Sequence, residues 1–585
     1  MVSSFKISNF VFKCETNYKL KMSLIEEHSN VIRIKFEICF EDKVVPEPVV
    51  IKWSFPCKNV VSQWNSQLWC QRVLNPQWMP IVNSSRSAEG IPLQSHISQD
   101  GKNVITVAIG DCLTPIQIAT GIIEETAEIS YKVTFFTEPI SDIEFYETEI
   151  RIDMRDKSYT DVISDSRNIW KNYINCIEPP KEATMPMYST WYSYHQNLEH
   201  NTLVEELKLA KEYGMETVIV DDGWQTDDGK RGYAYCGDWE PVKIKDMKRL
   251  VEDVHSIGMK YMMWFGVPFV GENSKAWEKF QGKFLDKYDK KHPWCVLDPR
   301  YPDVRDYLIN IYERAVKEWD LDGLKLDFIN NIKLTDASNL PNSDMDYESL
   351  EDAICALLSE IKERISKIKP DILIEFRQPY IGPIMNKYGN IIRVADCPID
   401  VLKNRAGVFD LRTISGKCAI HSDMIMWNYE DTAESAALQI INIFFGVPQI
   451  SVLLEKLSPE HQKMLKFYIN LWREYRDCIL NGTLKIQNPE AGYSFAASCN
   501  ENCIAAVSYI NSVLEIDRQY KKILYINGAW SKYLYIENEA EPSAVRYTIK
   551  DCTGNVQENG TALLAHGTNK YKVPNSGVLE IIMDI

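Results

Sequence analysis

The sequence predicts a multidomain chain: a central (β/α)8 barrel, flanked by an N-terminal β-sandwich and a smaller C-terminal all-β domain. Three observations predict it. Short runs of alternating apolar and polar residues fill positions 1–175. Strand-like and helix-like stretches then alternate over 176–487, the pattern of a parallel sheet wrapped by helices. From 488 to 585 the short alternating runs return.

The first domain is read from Val31-Ile-Arg-Ile-Lys-Phe-Glu-Ile, Val104-Ile-Thr-Val-Ala-Ile, Ile129-Ser-Tyr-Lys-Val-Thr-Phe-Phe and Ile143-Glu-Phe-Tyr-Glu-Thr-Glu-Ile-Arg-Ile-Asp. Each places one face on a core and one in water. Trp64, Trp69 and Trp78 crowd a polar stretch, read either as a loop reaching over a ligand or as one stapled to its own sheet. Residues 155–175 read as a helical connector ending at Pro179-Pro180. Eight barrel strands are expected near 188–193, 217–222, 261–266, 323–327, 373–377, 391–396, 424–427 and 449–453.

Composition narrows the function classes. A net charge of −17 argues against nucleic acid or an anionic membrane as partner. Fifteen cysteines, scattered singly and without a metal-type spacing, fit free thiols in a reducing compartment. With no apolar run of membrane-spanning length and no basic-then-apolar leader at Met1, the chain reads as cytoplasmic.

The stretch Asp322-Gly-Leu-Lys-Leu-Asp-Phe328 reads as a short buried strand ending in a carboxylate. Barrel catalytic groups stand at that end. Lys325 shares a strand face with Asp327, so its charge would keep Asp327 ionised, as a glycosidase nucleophile requires. The bland alternative is a buried ion pair that only holds the barrel together. The other expected strand ends carry Trp191, the Asp221-Asp222-Gly-Trp224 run, Trp264, Glu375 with Arg377, and Asp396 with Asp400. This ring of acids and aromatics suits a sugar: carboxylates accept from hydroxyl pairs and rings cover the apolar face. Asp396 is the second carboxylate expected, with Asp400 as its rival.

Asp221-Asp222-Gly-Trp224, Gly237-Asp-Trp239, Gly258-Met-Lys260, Trp264-Phe265, Val296-Leu-Asp298 and Lys325-Leu-Asp327 follow one another as in clan D glycosidases. Over roughly residues 187–400 the chain resembles the family-36 α-galactosidases, or melibiases. The resemblance implies a retaining, exo-acting glycosidase that removes terminal α-linked galactose-type residues from an oligosaccharide or glycoside. Asp327 would be the nucleophile and Asp396 the acid/base. Asp221 and Asp222 would hold sugar hydroxyls, Lys325 would reach a neighbouring one, and Trp191 and Trp239 would line the pocket, with Trp264 a further substrate-binding candidate from its place at the third strand's end. No cofactor and no metal are implied, and a homo-oligomer is compatible with the family.

The chain departs from the family at Ile329, at Val267-Pro-Phe-Val270, and most of all after the fifth strand. There Glu375-Phe-Arg377-Gln-Pro-Tyr380 replaces the Cys-x-x-Gly-Gly segment that contacts the sugar's 2-position. An α-N-acetylgalactosaminidase and a raffinose-synthase-like transglycosylase are therefore alternatives, with Arg377 as a specificity residue or a scaffold ion pair. A carbohydrate-binding protein derived from such an enzyme is the non-enzyme alternative. An acid/base with raised pKa is expected opposite a nucleophile held low by Lys325.

Overall fold

The computed structural model describes residues 2–174 and 178–583. The expected boundary at 175/176 lies outside the described residues.

Two six-stranded sheets form the N-terminal sandwich. Val31–Val44 pairs antiparallel with Ile143–Asp153, and each turns every second residue inward. Their inward residues join an aromatic core in which Trp53 and Tyr131 stack at 5.0 Å. A helix at Tyr159–Ser166 follows as the connector.

The second unit is an eight-stranded parallel sheet rolled into a nearly closed barrel. Its strands are β1 (Met187–Ser189), β2 (Thr217–Val220), β3 (Lys260–Gly266), β4 (Gly323–Asp327), β5 (Leu373–Arg377), β6 (Ile391–Arg393), β7 (Ala419–His421) and β8 (Gln449–Ile450). Each of β1 to β6 lies beside its successor in sequence, β8 lies beside β1, and a bridge from His421 to Val447 links β7 to the chain entering β8. The barrel interior carries Lys325, Glu375, Arg393, His421 and Gln449, all buried.

β4 and β5 occur at the expected residues. The seventh strand does not: Met424-Ile-Met-Trp427 lies beyond the strand, which is Ala419–His421. β1 also ends early, and Trp191–Tyr194 forms a helical turn. The helices follow the barrel's chemistry of starts and stops. Asp246, Ser349 and Asp400 cap the helices Met247–Ser256, Leu350–Ile368 and Val401–Ile414 by accepting from backbone N–H groups. Pro302–Trp319 ends on Asp320 in the left-handed region, and the chain turns through Gly323 into β4.

The last unit holds a seven-stranded and a three-stranded sheet. Its first strand, Thr483–Gln487, pairs with Phe495–Cys499, so this sheet begins inside the stretch the sequence assigned to the barrel. Among the described residues no helix is long and apolar enough to cross a membrane.

The sandwich grips the barrel at its mouth. Arg86 donates to the carbonyls of Asn330 and Ile332, beyond β4. Gly90 N–H donates to Pro379 O, and Gly382 N–H to Ala88 O, beyond β5. Trp64 is fully buried and donates to Asp410 of the helix Val401–Ile414, so it staples the two units together rather than reaching over a ligand. Trp69 is half-buried under the Lys403 ammonium, and Trp78 is 70% exposed.

Candidate active site

Asp327 ends β4, and the next residue, Phe328, turns at φ 65°. That turn aims the Phe328 N–H back at Asp327 Oδ1, 2.8 Å away. The same oxygen accepts from Arg377 Nε at 2.8 Å and from the Tyr380 hydroxyl at 2.9 Å. Oδ2 accepts from the Trp264 indole at 3.0 Å. Burial pushes this carboxyl up, but Arg377, then Lys325 and Arg393, and the Trp264 bond pull it well below the usual carboxylate range. Asp327 is therefore ionised at neutral pH.

The cation touching it is not the expected one. Lys325 Nζ stands 2.5 Å from Asp221 Oδ2 and acts on Asp327 only through its field. Arg377 makes the direct ion pair, from the neighbouring strand end.

Asp221 and Asp222 follow β2 and are buried, each 3% exposed. They differ sharply in partners. Asp221 pairs with Lys325, whereas Asp222 accepts only from amides, Gln225 at 2.6 Å and Gln196 at 2.9 Å. Burial then raises the Asp222 carboxyl to about 6, with the Asp221 charge adding to the rise. Asp222 therefore keeps its proton to higher pH than an ordinary aspartate. Gly223 lets this turn form: at φ 115° a Cβ would lie 2.6 Å from Gln196 Cα.

The tryptophans divide into rim and support. Trp191 is half-buried, its ring edge-on to His195, and Arg231 meets His195 Nε2 at 2.8 Å. Trp264 is 2% exposed and reaches Asp327 with its indole N–H. Trp239 does not line the opening. It is fully buried behind Trp264, with Trp224 and Phe265 on its other sides. Asp238 explains this: it accepts from the N–H groups of Lys275 and Ala276, which fixes the loop with Trp239 turned inward.

Arg393, at the end of β6, has no exposed surface and binds three carboxylates. Glu375 lies 3.4 Å away, Asp396 2.9 Å, and Asp423 in close contact. Asp396 leads into the mouth with its side chain 49% exposed. Partial burial pushes it up, yet Arg393, then Arg377 and Lys325, hold it below its ordinary value. The expectation of a raised acid/base is thus not met at Asp396. Asp400 is the cap of the following helix, accepting from Lys403 N–H at 2.9 Å, and stands outside this cluster. Asp298 pairs with Arg300 through both carboxylate oxygens, deep in its loop.

Asp423, Gln196 and Gln225 were not anticipated, nor was a role for Tyr380; Tyr192 stands at the end of the first strand, where an aromatic of the ring is expected. Asp423 lies two residues past β7 and is fully buried, accepting from Cys397 N–H at 2.6 Å and from the Tyr192 hydroxyl at 3.0 Å. Burial lifts it to about 6 against the pull of Arg393. Its signal, a charged residue inside His421-Ser-Asp423, was masked by placing the seventh strand on the apolar run that follows.

The mouth thus combines one deeply ionised carboxylate, Asp327, one carboxylate open to solvent, Asp396, and four buried acids, Asp221, Asp222, Glu375 and Asp423, beside hydrogen-bonding amides and cations. Such a set can attack, protonate and bind hydroxyls at one carbon centre. A melibiase family model matches residues 149–378. Two curated relatives align with this stretch. α-Galactosidase 2 of Pediococcus pentosaceus is 25% identical over 206 residues, covering 34% of this chain and 28% of its own length. α-Galactosidase Mel36A of Lactobacillus acidophilus is 26% identical over 203 residues, covering 32% and 26%. The chain therefore spans only about a quarter of the length of these relatives.

Among solved structures, the α-galactosidase of Lactobacillus brevis superposes with TM-score 0.68 at 15% identity, over 100% of this chain and 83% of its own. A variant of the family-36 α-galactosidase AgaA of Geobacillus stearothermophilus, solved with raffinose, gives 0.66 at 15% identity over 99% and 84%. The chain resembles the family-36 α-galactosidases in both motif order and fold.

Proposed function

We propose that this protein is a retaining, exo-acting α-galactosidase. Asp327 attacks the anomeric carbon as the glycosidic C–O bond breaks, and Asp396 gives its proton to the departing oxygen. Water then attacks the same carbon, Asp396 takes the water's proton, and Asp327 leaves with its electron pair. Two inversions at one carbon give net retention. Asp221, Asp222 and Lys325 bind the sugar's hydroxyls, Trp191 at the rim covers its apolar surface, and Trp264 supports Asp327 from behind. A terminal α-galactosyl group on an oligosaccharide is the expected substrate, in keeping with the raffinose and stachyose held by AgaA variants.

The observation that carries this reading is the four-donor cradle around Asp327. It keeps a nucleophile ionised at the C-terminal end of a barrel strand, in the same electrostatic field as Asp396. Hydrolysis of p-nitrophenyl α-galactoside, α-N-acetylgalactosaminide, α-glucoside and α-xyloside tests it. Cleavage of the galactoside, lost in Asp327→Asn with the melting temperature retained, is the expected result. Full activity in Asp327→Asn contradicts the assignment. Product analysis at high acceptor-sugar concentration distinguishes transfer to a sugar from transfer to water.

A further inference from the structure

The two oxygens of Asp327 are not equivalent. A carboxylate oxygen offers two lone pairs. Oδ1 has three donors within 2.9 Å, the Phe328 N–H, Arg377 Nε and the Tyr380 hydroxyl, so both its lone pairs are taken. Among the described residues Oδ2 accepts from the Trp264 indole alone, and one lone pair is left over. An oxygen that forms a new bond to carbon needs a lone pair to give, and Oδ2 is the one that has it.

Arg377 and Tyr380 come from Arg377-Gln-Pro-Tyr380, the segment in which this chain departs most from the family-36 pattern. Tyr380 N–H donates to Arg377 O at 3.0 Å, a turn that lets both side chains reach the same oxygen. The sandwich holds that turn in place, with Gly90 N–H on Pro379 O and Ala88 O taking Gly382 N–H. Tyr380 is 1% exposed, its ring edge-on to Phe376. Burial, then the Asp327 charge, push its phenol well above the ordinary value, so it keeps its proton and donates. Unlike Arg377, it brings a hydrogen bond to Oδ1 without bringing a charge.

We propose that Oδ2 is the atom of Asp327 that bonds to the sugar, and that Tyr380, acting through Oδ1, is a positioning residue for the second half of the reaction, in which that bond breaks. This rests on the glycosidase reading of the site. In the first half Oδ2 gives an electron pair to the anomeric carbon, the glycosidic C–O bond breaks, and the departing oxygen takes the proton of Asp396. Asp327 becomes a neutral ester, with Oδ1 as its carbonyl oxygen. In the second half water bonds to the same carbon and gives a proton to Asp396. The C–Oδ2 pair returns to Asp327 as negative charge shared by both oxygens.

Hydrogen bonds to a charged acceptor are about twice as strong as those to a neutral one. The Tyr380 bond therefore loosens as the ester forms and tightens as the ester breaks. Without the hydroxyl, Asp327 is a poorer leaving group and no worse a nucleophile. Breakdown of the glycosyl-enzyme slows while its formation holds.

The test compares wild type with Tyr380→Phe, using a fluorinated α-galactosyl donor whose glycosyl-enzyme turns over slowly. Loss of activity on adding the donor times the first half. Return of activity after the donor is removed times the second. Tyr380→Phe keeps the ring and leaves Oδ1 two donors. We expect its return to be about tenfold slower, the weight of one hydrogen bond to a charged group, with inactivation within about threefold of wild type. For a dinitrophenyl α-galactoside kcat/KM, which reports the first half alone, should likewise hold. Should Tyr380→Phe not fold, as judged by its melting curve, Tyr380→Met carries the same comparison. Inactivation slowed as much as the return, which is what a purely structural Tyr380 gives, overturns the proposal, and so does a return as fast as wild type. Wild type that cleaves no α-galactoside and is not inactivated overturns the underlying glycosidase reading instead, so the two failures are separable.

Discussion

At the scale of single residues, the site is governed by which cation reaches which acid. Asp327 owes its ionisation chiefly to Arg377, whose Nε lies 2.8 Å from it. Removing that guanidinium in Arg377→Ala leaves burial to push the Asp327 carboxyl up. A larger fraction is then protonated at a given acidic pH, so the acid limb of kcat should move to higher pH. A lost charge-assisted hydrogen bond of this kind should also lower kcat by about tenfold or more. A pH–rate profile checks both, and an unchanged acid limb would assign Asp327's charge to Lys325 after all. The Asp327 carboxylate was legible in the sequence because an apolar strand ended on it. Its partner was not. Strand alternation puts Lys325 on the same face as Asp327 but cannot show that Asp221, two strands away, captures that ammonium first. Gln196 and Gln225 were illegible for a related reason: amides in a polar loop look alike until the Gly223 turn brings them onto Asp222.

At the scale of elements, the barrel strands could be read where β-branched and apolar residues lay between turn signals, as in β4 and β5. β7 was misplaced because its three residues, Ala419-Ile-His421, are shorter and less apolar than the Met424–Trp427 run behind them. What makes Ala419–His421 the strand is its parallel pairing with Ile391–Arg393, a tertiary contact with no local signature. The start of β4 shows how tightly neighbouring strands close around it. A Cβ on Gly323 would lie 2.6 Å from Met262 Cγ and 2.7 Å from Leu373 Cβ, on the strands to either side. Gly323→Ala should therefore destabilise the fold by about 1–3 kcal/mol, the usual range for overpacking a tight core. Urea unfolding measures this, and a variant as stable as wild type would mean that β3 and β5 can part at no cost. Asp400 illustrates the reverse limit. As a candidate acid four residues from Asp396 it was credible, yet its role is the commonest one for an acid ahead of a helix: it caps it.

At the scale of the whole molecule, the sandwich, the barrel and the C-terminal sheets could all be expected from the change in periodicity along the chain. How they meet could not. The segment Ser84–Ile91 of the sandwich holds the chain just beyond both Asp327 and Tyr380, so the shape of the mouth depends on a part remote in sequence. Arg86 also faces the buried Glu351 at 3.4 Å, while Glu351 accepts from Ser87 N–H at 3.0 Å. Arg86→Ala would strip the cation from a buried acid and release two carbonyls. It should cost about 3–5 kcal/mol, as broken buried pairs do, and lower kcat on the same substrate. Thermal melting with steady-state kinetics tests this; wild-type kcat in a destabilised variant would make the Ser84–Ile91 segment a clamp for stability alone. The account as a whole rests on Asp327 as the atom that bonds to sugar. The most direct measurement is peptide mapping by mass spectrometry after reaction with a fluorinated α-galactosyl donor whose glycosyl-enzyme turns over slowly. The expected result is one galactosyl label on the peptide containing Asp327. A label on Asp396, Asp423 or any other carboxylate, or turnover with no covalent species and an inverted product, would contradict it.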